Sequence, residues 1–217
     1  MKKALVSCRG GKDSWFAAIK AIAEGYEIKG FLNVLSEEGQ TSRAHGIPAA
    51  IVEAQAAAAN IPMQTVAASW AEYEQKFTGA LLQAKEKWNI SYAVFGDIDL
   101  LEHQQWEEKI CSRTGLSAIW PLWGRNRKEL VLQMIDDGMQ MLIVSCNTTM
   151  GERFLGKYLT TERVAELEAL GIDPCGEEGE FHTLVTACKM FQNPFEVNVT
   201  GTYLHNDYWY AHLELKT

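Results

Sequence analysis

Several features that would assign a chain to a large protein class are scarce or missing in this sequence. Its five cysteines are widely spaced and form no Cys-x-x-Cys pair, which argues against a disulfide framework and against a zinc knuckle. No apolar run approaches the length that spans a bilayer, and the apolar stretch after the two N-terminal lysines is too short for a signal-peptide core. We therefore expect a soluble protein of the reducing cytoplasm without a membrane partner.

The sequence also lacks a surplus of basic residues. It has 28 acidic and 20 basic residues, and its net charge is -8. Proteins that bind a nucleic-acid backbone use clustered lysine and arginine, so we do not expect a nucleic acid as the main partner. With 217 residues, 47% of them hydrophobic, the chain can bury one core, or one core and a small annex.

Strands and helices alternate through the N-terminal half. One strand is predicted directly before the polar stretch Ser7–Ser14, and four more are predicted at 28–35, 63–67, 92–95 and 118–121. This order predicts an α/β domain over residues 1–124, with a mainly parallel five-stranded sheet and helices on both faces. Ligands of such sheets bind beyond the carboxyl ends of the strands.

The most regular helical pattern lies between the third and fourth predicted strands. Its apolar residues recur three or four positions apart, at Trp70, Tyr73, Phe77, Leu81, Ala84 and Trp88. We expect this stripe to pack into the core, because an apolar stripe at helical spacing is typical of a buried helix face.

Residues 125–217 are predicted to form a smaller α+β domain. A helix over 127–137 and a strand over 141–144 precede a second helix over 161–170 and a polar, turn-rich loop over 173–183. Two alternating segments, 195–204 and 208–215, flank a short turn and predict an antiparallel hairpin.

The stretch Ser7–Ser14 leads from the first strand into a helix through a polar glycine turn. Gly10 and Gly11 let the backbone approach a ligand closely, and the helix that follows offers unpaired N–H groups and the positive end of its dipole. Lys12 adds a cation. These features predict a phosphate-binding loop, with an ordinary strand-to-helix turn as the alternative.

Two common nucleotide-binding loops do not fit this stretch. A Walker-type loop ending at Lys12 requires glycine where Val6 stands and a hydroxyl residue where Asp13 stands. A dinucleotide fingerprint requires a third glycine at the start of the helix, where the chain has Asp13, Ser14 and Trp15.

The stretch resembles instead the Ser-Gly-Gly-Lys-Asp-Ser loop (PP-loop) of the ATP pyrophosphatases in the adenine-nucleotide α-hydrolase superfamily. The match covers Gly10, Gly11, Lys12, Asp13 and Ser14, whereas Arg9 replaces the first serine. The resemblance implies a HUP-like (Rossmann-like) fold and cleavage of ATP between its α and β phosphates.

Four further motifs make the resemblance narrower and extend it over nearly the whole chain. Together with the loop, they resemble the signatures of the diphthine-ammonia ligase family: Ser42-Arg43-Ala44-His45-Gly46-Ile47-Pro48, Gly96-Asp97-Ile98, Pro121-Leu122-Trp123 and Gly176-Glu177-Glu178-Gly179-Glu180-Phe181-His182-Thr183. Members of this family adenylate a carboxylate with ATP, release pyrophosphate and displace AMP with ammonia. Eukaryotic members carry extra C-terminal domains, so the chain resembles the short prokaryotic form.

The resemblance implies a set of ATP-binding residues and a magnesium ion. We assign phosphate binding to the loop, with Asp13 as a ligand of Mg²⁺ or as the cap of the next helix. An acid at the end of the fourth strand can reach a ribose hydroxyl or a magnesium-bound water, although ordinary turn chemistry also fits it. The expected ATP-binding residues are Ser7, Arg9, Gly10, Gly11, Lys12, Asp13, Ser14, Arg43, His45, Gly96 and Asp97.

The 176–183 loop is the expected acceptor side. Ammonia must be neutral to attack, so an anionic pocket could bind ammonium while Glu180 or His182 accepts its proton. The expected acceptor-binding residues are Glu177, Glu180, His182 and Thr183, and the expected catalytic residues are Lys12, Asp13, Glu180 and His182. The three histidines at 103, 205 and 212 form no metal-binding spacing and receive no role.

The substrates implied by the resemblance are ATP, ammonia and a carboxylate, carried either on a protein, with diphthine of elongation factor 2 as the family's substrate, or on a small molecule. Two other functions stay open. One is a tRNA-modifying PP-loop ATPase, and the other is a nucleotide sensor without turnover, because Arg9 either clamps a phosphate or blocks its approach. The sequence leaves both a monomer and a homodimer open.

Overall fold

A five-stranded parallel sheet forms the N-terminal part of the protein, as predicted. The computed structural model describes residues 1–43 and 45–216, so Ala44 of the second motif lies outside the described residues. The strand order is β3-β2-β1-β4-β5, which places the first strand at the centre. The strands are β1 (Lys2–Ser7), β2 (Tyr26–Leu35), β3 (Met63–Ala67), β4 (Tyr92–Val94) and β5 (Ser117–Ile119).

Helices cover both faces of this sheet, which confirms the expected α/β architecture. On one face, α1 packs through Trp15 and Phe16 against Phe31 of β2. On the other face, Phe77 and Ile110 pack against Leu5 of β1. The helices are α1 (Lys12–Ala23), α2 (Ala49–Ala58), α3 (Tyr73–Trp88) and α4 (Leu101–Thr114).

The helix α4 was not predicted. Charged and amide side chains fill most of its sequence, and Ile110 and Cys111 are its buried apolar residues. The apolar period is therefore too weak to reveal the helix without its tertiary contacts. This helix carries two side chains into the site described below.

The predicted core stripe of α3 is wrong at its first position. Phe77, Leu81 and Ala84 are buried as expected, but Trp70 precedes the helix and 72% of its surface is exposed. The guanidinium group of Arg43 lies over its ring, 4.4 Å from the centroid. Trp70 thus fits the helical spacing in the sequence but does not lie on α3.

A four-stranded antiparallel sheet forms most of the C-terminal part, in the order β7-β6-β9-β8. The predicted hairpin is confirmed as β8 and β9, whereas β7 begins inside the stretch that was predicted as a loop. The elements are α5 (Arg127–Asp136), β6 (Gln140–Asn147), a 3₁₀ turn (Glu152–Phe154), α6 (Thr161–Ala169), β7 (Phe181–Ala187), β8 (Val197–His205) and β9 (Tyr208–Leu215).

The two parts share one hydrophobic core. Trp15 of α1 packs edge-on against Phe191, with ring centroids 4.7 Å apart, and the same cluster includes Ile143 of β6 and Phe181 of β7. This packing brings β7 and the loop before it against the beginning of α1. Within the described residues, no helix combines the length and apolar character needed to cross a membrane.

Candidate active site

The candidate site is a cleft of about 260 Å³ beyond the carboxyl ends of β1 and β4, where α/β sheets bind ligands. Two sets of residues form most of its lining, and they are called walls below. The phosphate wall consists of Ser7–Ser14 and Gly96–Asp97, and the acceptor wall consists of Gly176–Thr183. Three other places complete the lining: His45, the pair Phe95 and Leu100 that flanks the second part of the phosphate wall, and His103 and Glu107 of α4.

The two glycines of the loop are required by their surroundings. Gly10 has φ +92°, a conformation that side chains with a Cβ rarely adopt. Its carbonyl accepts hydrogen bonds from Gln55 Nε2 at 2.9 Å and from the backbone N–H of Val185 at 3.1 Å. A Cβ on Gly11 would lie 2.8 Å from His45 Nε2.

The first turn of α1 is held from the acceptor wall. The backbone N–H of Lys12 donates to Thr183 Oγ1 at 3.1 Å, so this helix N–H already has a partner. Ser14 Oγ donates to the Gly11 carbonyl at 3.0 Å and stabilises the same turn. Thr183, which we expected to contact the acceptor, therefore also supports the phosphate loop.

Lys12 is buried between two acids. Its Nζ lies 2.9 Å from Asp13 Oδ2 and 4.0 Å from Glu177 Oε1, and 3% of the residue is exposed. Burial lowers the pKa of Lys12, but its acidic surroundings, the charge of Asp13 above all, outweigh burial and raise the pKa above its ordinary value. The lysine is therefore a fixed cation that the two walls share.

One oxygen of Asp13 is available for a ligand. Asp13 Oδ1 is buried and has no hydrogen-bond partner among the described residues. Donor atoms of Asp13, Cys175 and Glu177 lie within 4.8 Å of one another. Burial raises the pKa of the Cys175 thiol, so the oxygen atoms of Asp13 and Glu177 are the better donors of this group for a hard cation.

Two histidines from distant motifs stack inside the cleft. The rings of His45 and His182 are 4.4 Å apart at 33°. Burial, followed by the charges of Arg9 and Lys12, lowers the pKa of His182 to about 4. Burial also lowers the pKa of His45, so both imidazoles are neutral at neutral pH.

The two expected glutamates of the acceptor wall have different surroundings. The Glu180 carboxylate accepts the backbone N–H groups of Asp173 at 3.1 Å and Glu178 at 3.2 Å, so it shapes its own loop, and it does not line the cleft. The Glu177 side chain lines the cleft. Burial and the neighbouring Asp13 raise the pKa of Glu177 to about 8.

The second motif divides between two cavities. His45 lines the main cleft, whereas Arg43 lines a side cavity of about 40 Å³ together with Trp70 and Tyr73. Arg43 also donates a hydrogen bond to the Ala68 carbonyl. Ser7 and Arg9 line both cavities, so the side cavity continues from the phosphate loop.

Close packing explains why the Gly96-Asp97 motif has a glycine at its first position. A Cβ on Gly96 would lie 2.8 Å from the Asp13 carbonyl carbon and from the Ser14 nitrogen. The chain that leaves β4 therefore passes against the first turn of α1. This contact places Asp97 in the cleft beside the loop.

Three site residues were not expected from the sequence. His103 and Glu107 lie four positions apart on α4, which puts both on one helix face, and His103 Nδ1 lies 2.8 Å from Asp97 Oδ1. The third is Gln55, fully buried on α2, whose Nε2 also donates to the Val185 carbonyl at 2.7 Å. The i, i+4 spacing of His103 and Glu107 indicates a shared helix face only where a helix is known, and α4 was not predicted.

Two family models match consecutive parts of the chain. The model described as the diphthamide synthase N-terminal domain matches residues 1–118, and the model described as the diphthamide synthase C-terminal domain matches residues 126–217.

Curated relatives cover most of the chain. Proteins named diphthine–ammonia ligase from Rattus norvegicus and Homo sapiens are 27% and 26% identical, and each alignment covers 94% of this chain and 85% of the relative. The protein of that name from Schizosaccharomyces pombe is 23% identical over 88% of this chain and 35% of its own length. The fission-yeast relative therefore has large additional segments, whereas the two mammalian relatives do not. The expectation that eukaryotic members in general carry extra domains is wrong for the two mammalian relatives.

Proposed function

Because the chain belongs to the diphthamide synthase family, we propose that it is a ligase that activates a carboxylate with ATP and joins it to ammonia, releasing AMP and pyrophosphate. One observation carries this proposal. The phosphate loop and the Gly176–Thr183 motif lie more than 160 positions apart in the sequence, yet both line one cleft. The hydrogen bond from the Lys12 N–H to Thr183 Oγ1, at a separation of 171 residues, joins them directly.

The phosphate wall suits the triphosphate. Lys12 and Arg9 supply cations, and the loop glycines let the backbone approach the phosphates. Negative charge that develops on the α-phosphate and the leaving pyrophosphate needs donors that are already in place, and one such donor contributes about 3–4 kcal/mol to the transition state.

Asp13 is the residue that we assign to Mg²⁺. Its unpartnered buried oxygen Oδ1 fits a hard cation, which prefers carboxylate ligands. Bound magnesium would neutralise part of the negative charge of the phosphates. The carboxylate of Asp13 also pairs with Lys12 Nζ through its other oxygen, so the same residue orients the lysine.

The side cavity is the place that we assign to the adenine base. Two aliphatic and two aromatic side chains line it together with three polar ones: Leu32, Val34, Trp70, Tyr73, Ser7, Arg9 and Arg43. Aromatic rings and guanidinium groups both stack on bases. Arg43, expected at the phosphates, is therefore reassigned in this proposal to the base.

The acceptor wall suits the second half-reaction. In the first half-reaction, an oxygen of the acceptor carboxylate bonds to the α-phosphorus, and the bond to the bridging oxygen of the β-phosphate breaks. Ammonia then bonds to the acyl carbon, AMP leaves with the bonding electrons, and the nitrogen gives up a proton. We assign that proton to Glu177, whose carboxylate faces the cleft, rather than to Glu180, which binds loop backbone.

The neutral His182 and His45 rings have a different role in this scheme. Neutral imidazoles can hydrogen-bond ammonia or an acceptor oxygen without repelling a cation. We propose that the acceptor is a carboxylate on a protein or on a small molecule. Diphthine, which the relatives carry in their names, is the first candidate, and elongation factor 2 would be the protein that bears it.

The test is to incubate the protein with ATP, Mg²⁺ and ammonium, and to add either elongation factor 2 that carries diphthine or small carboxylic acids. AMP, pyrophosphate and an amide are the expected products, and hydroxylamine in place of ammonium should trap the adenylate as a hydroxamate. Formation of ADP would contradict attack at the α-phosphate. Tight ATP binding without product from any acceptor would favour a nucleotide sensor.

A further inference from the structure

Arg127, the first residue of α5, binds three acids that lie far from it in the sequence. Its Nε and Nη2 donate to the two carboxylate oxygens of Asp99, each at 2.8 Å. Its Nη1 donates to Asp173 Oδ2 at 2.8 Å and to Glu178 Oε1 at 3.4 Å. Arg127 thus joins the segment that follows the Gly96–Asp97 part of the phosphate wall to the loop that forms the acceptor wall.

The place of Arg127 in α5 does not account for its charge. The positive end of a helix dipole lies at the N-terminus, where a cation is unfavourable. The Arg127 side chain is 25% exposed and that of Asp173 is 10% exposed, whereas Glu178 lies largely in solvent. The strongest contacts of Arg127 are therefore those to Asp173, which is mostly buried, and to Asp99, which binds two N–H groups of the planar guanidinium.

Asp173 connects Arg127 to the backbone of the acceptor wall. The oxygen that Arg127 binds, Asp173 Oδ2, also accepts the backbone N–H of Glu177 at 3.1 Å. The other oxygen, Oδ1, accepts the backbone N–H of Cys175 at 2.9 Å. A carboxylate held by Arg127 therefore fixes the backbone on both sides of Gly176.

The position of the Glu177 backbone matters because its side chain lines the cleft, with Oε1 4.0 Å from Lys12 Nζ. The described residues that line the cleft do not include Arg127, so its route to the site passes through Asp173. A reacting group that is displaced by about 1 Å can lose about 100-fold in rate. The turn that carries Glu177 must therefore be held in place if Glu177 is to accept a proton.

We propose that Arg127 is a positioning residue for Glu177: through Asp173, it holds the backbone of the acceptor wall in a fixed place relative to the phosphate wall. This inference rests on the proposed function, in which Glu177 accepts the proton of ammonia. It assigns a role to α5, a helix that contributes none of the described residues lining the cleft.

Three single variants and one double variant separate this role from the alternatives. Arg127→Met removes the charge and keeps an unbranched side chain. Lys128→Met is the matched control, because the next residue of α5 forms its salt bridge with Glu168 of α6, at 2.8 Å. Glu177→Gln is made alone and together with Arg127→Met. The measured quantities are kcat for amide formation on elongation factor 2 that carries diphthine and KM for Mg²⁺-ATP, with thermal unfolding to confirm that each variant is folded.

Arg127→Met should lower kcat by roughly 10- to 100-fold, as expected when a general base is displaced, and should change KM for ATP by less than about threefold. In the Glu177→Gln background, the same substitution should lower kcat by less than about threefold, because the group that Arg127 positions is already inactive. An equal loss in both backgrounds would overturn the proposal in favour of a role independent of Glu177. An unchanged kcat in Arg127→Met, or an equal loss in Lys128→Met, would also overturn it.

The effect of Arg127 on the loop can be tested without ATP. Hydrogen exchange at the backbone N–H groups of Cys175 and Glu177, followed by NMR, should accelerate by about tenfold in Arg127→Met and stay unchanged in Lys128→Met, since both groups donate to the carboxylate that Arg127 binds. If the wild-type protein makes no amide from this or any other carboxylate, the proposed function fails, while the exchange rates still decide whether Arg127 orders the loop. Unchanged exchange in Arg127→Met would overturn the inference even if the wild-type protein is active.

Discussion

The two walls of the cleft use their polar groups in different ways. In the phosphate wall, Arg9 lines the cleft, and Asp13 Oδ1 has no hydrogen-bond partner among the described residues. In the acceptor wall, Glu180 binds the backbone of its own loop and Thr183 binds the backbone of Lys12. The first wall presents its groups to a ligand, whereas the second wall uses most of its groups to maintain its own shape.

This difference suggests a division of work. The phosphate wall is built from strand ends and a helix N-terminus, which are rigid because the sheet below is paired on both sides of β1. The acceptor wall is an irregular loop that needs internal hydrogen bonds to be equally rigid. In the acceptor wall, Glu177 and His182 then remain as the polar side chains for chemistry. Four predictions test this difference between the walls, from the largest expected effect to the smallest.

The largest effect is expected at Lys12, the cation shared by the walls. Lys12→Met should reduce AMP formation by about 100- to 1,000-fold, because a preorganised positive group at the developing phosphate charge is lost. The measurement is the initial rate of AMP release. Lys20→Met, on the last turn of the same helix, is the matched control and should retain the wild-type rate.

The second prediction separates the two glutamates of the acceptor wall. Glu177→Gln should reduce ammonia-dependent amide formation by about 100-fold, since a positioned general base contributes at least that much, while ATP affinity changes little. Quenched-flow detection of the amide and calorimetry with ATP measure the two quantities. If Glu180→Gln gives the larger loss in a protein of wild-type stability, the assignment of the base to Glu177 is wrong.

The third prediction concerns Gln55, whose side chain joins the phosphate wall to β7. Gln55→Leu removes the buried donor that the Gly10 and Val185 carbonyls share. The free energy of unfolding should fall by about 1–3 kcal/mol. Urea denaturation provides the value, with the exposed Gln75→Leu as a control that should stay near the wild-type value.

The smallest effect is a dependence of stability on acid. The pKa of His182 is about 4 in the folded protein and ordinarily 6.5, so the unfolded chain takes up a proton first as the pH falls. The folded state should therefore lose about 1–2 kcal/mol of stability relative to the His182→Gln variant between pH 6.5 and pH 5. If the free energy of unfolding falls equally with pH in the wild-type protein and in His182→Gln, a neutral His182 is contradicted. His205→Gln, at the exposed end of β8, serves as the control.

The phosphate wall could be predicted from the sequence to a large extent because its features are local. The strand, the glycine pair and the helix start lie within one short segment, and their backbone geometry follows from residue type. The structure confirms the parallel sheet that positions them, with the loop at the end of the central strand.

The long-range contacts around the cleft could not be predicted in the same way. The bond from Lys12 to Thr183 spans 171 positions and that from Gln55 to Val185 spans 130, so no local pattern indicates either. The sequence also assigned Glu180 a chemical role, since nothing in the motif distinguishes a carboxylate that binds its own backbone from one that faces a ligand.

The helix α4 and Trp70 show two further limits. The α4 face that carries His103 and Glu107 is polar because it faces the cleft, and this polarity weakens the apolar period by which a helix is recognised. Trp70 fits the period of α3 although it precedes that helix. In both places the side chain's environment, and not its spacing, determines where it lies.

The most direct test of the account is a crystal structure with Mg²⁺ and α,β-methylene-ATP, which the proposed reaction cannot cleave. The expected result is an α-phosphate within hydrogen-bond distance of Lys12 Nζ, about 3 Å, that faces the acceptor wall, with the adenine beside Trp70. An α-phosphate turned away from Gly176–Thr183, so that Glu177 and His182 face empty solvent, would contradict the joint use of the two walls.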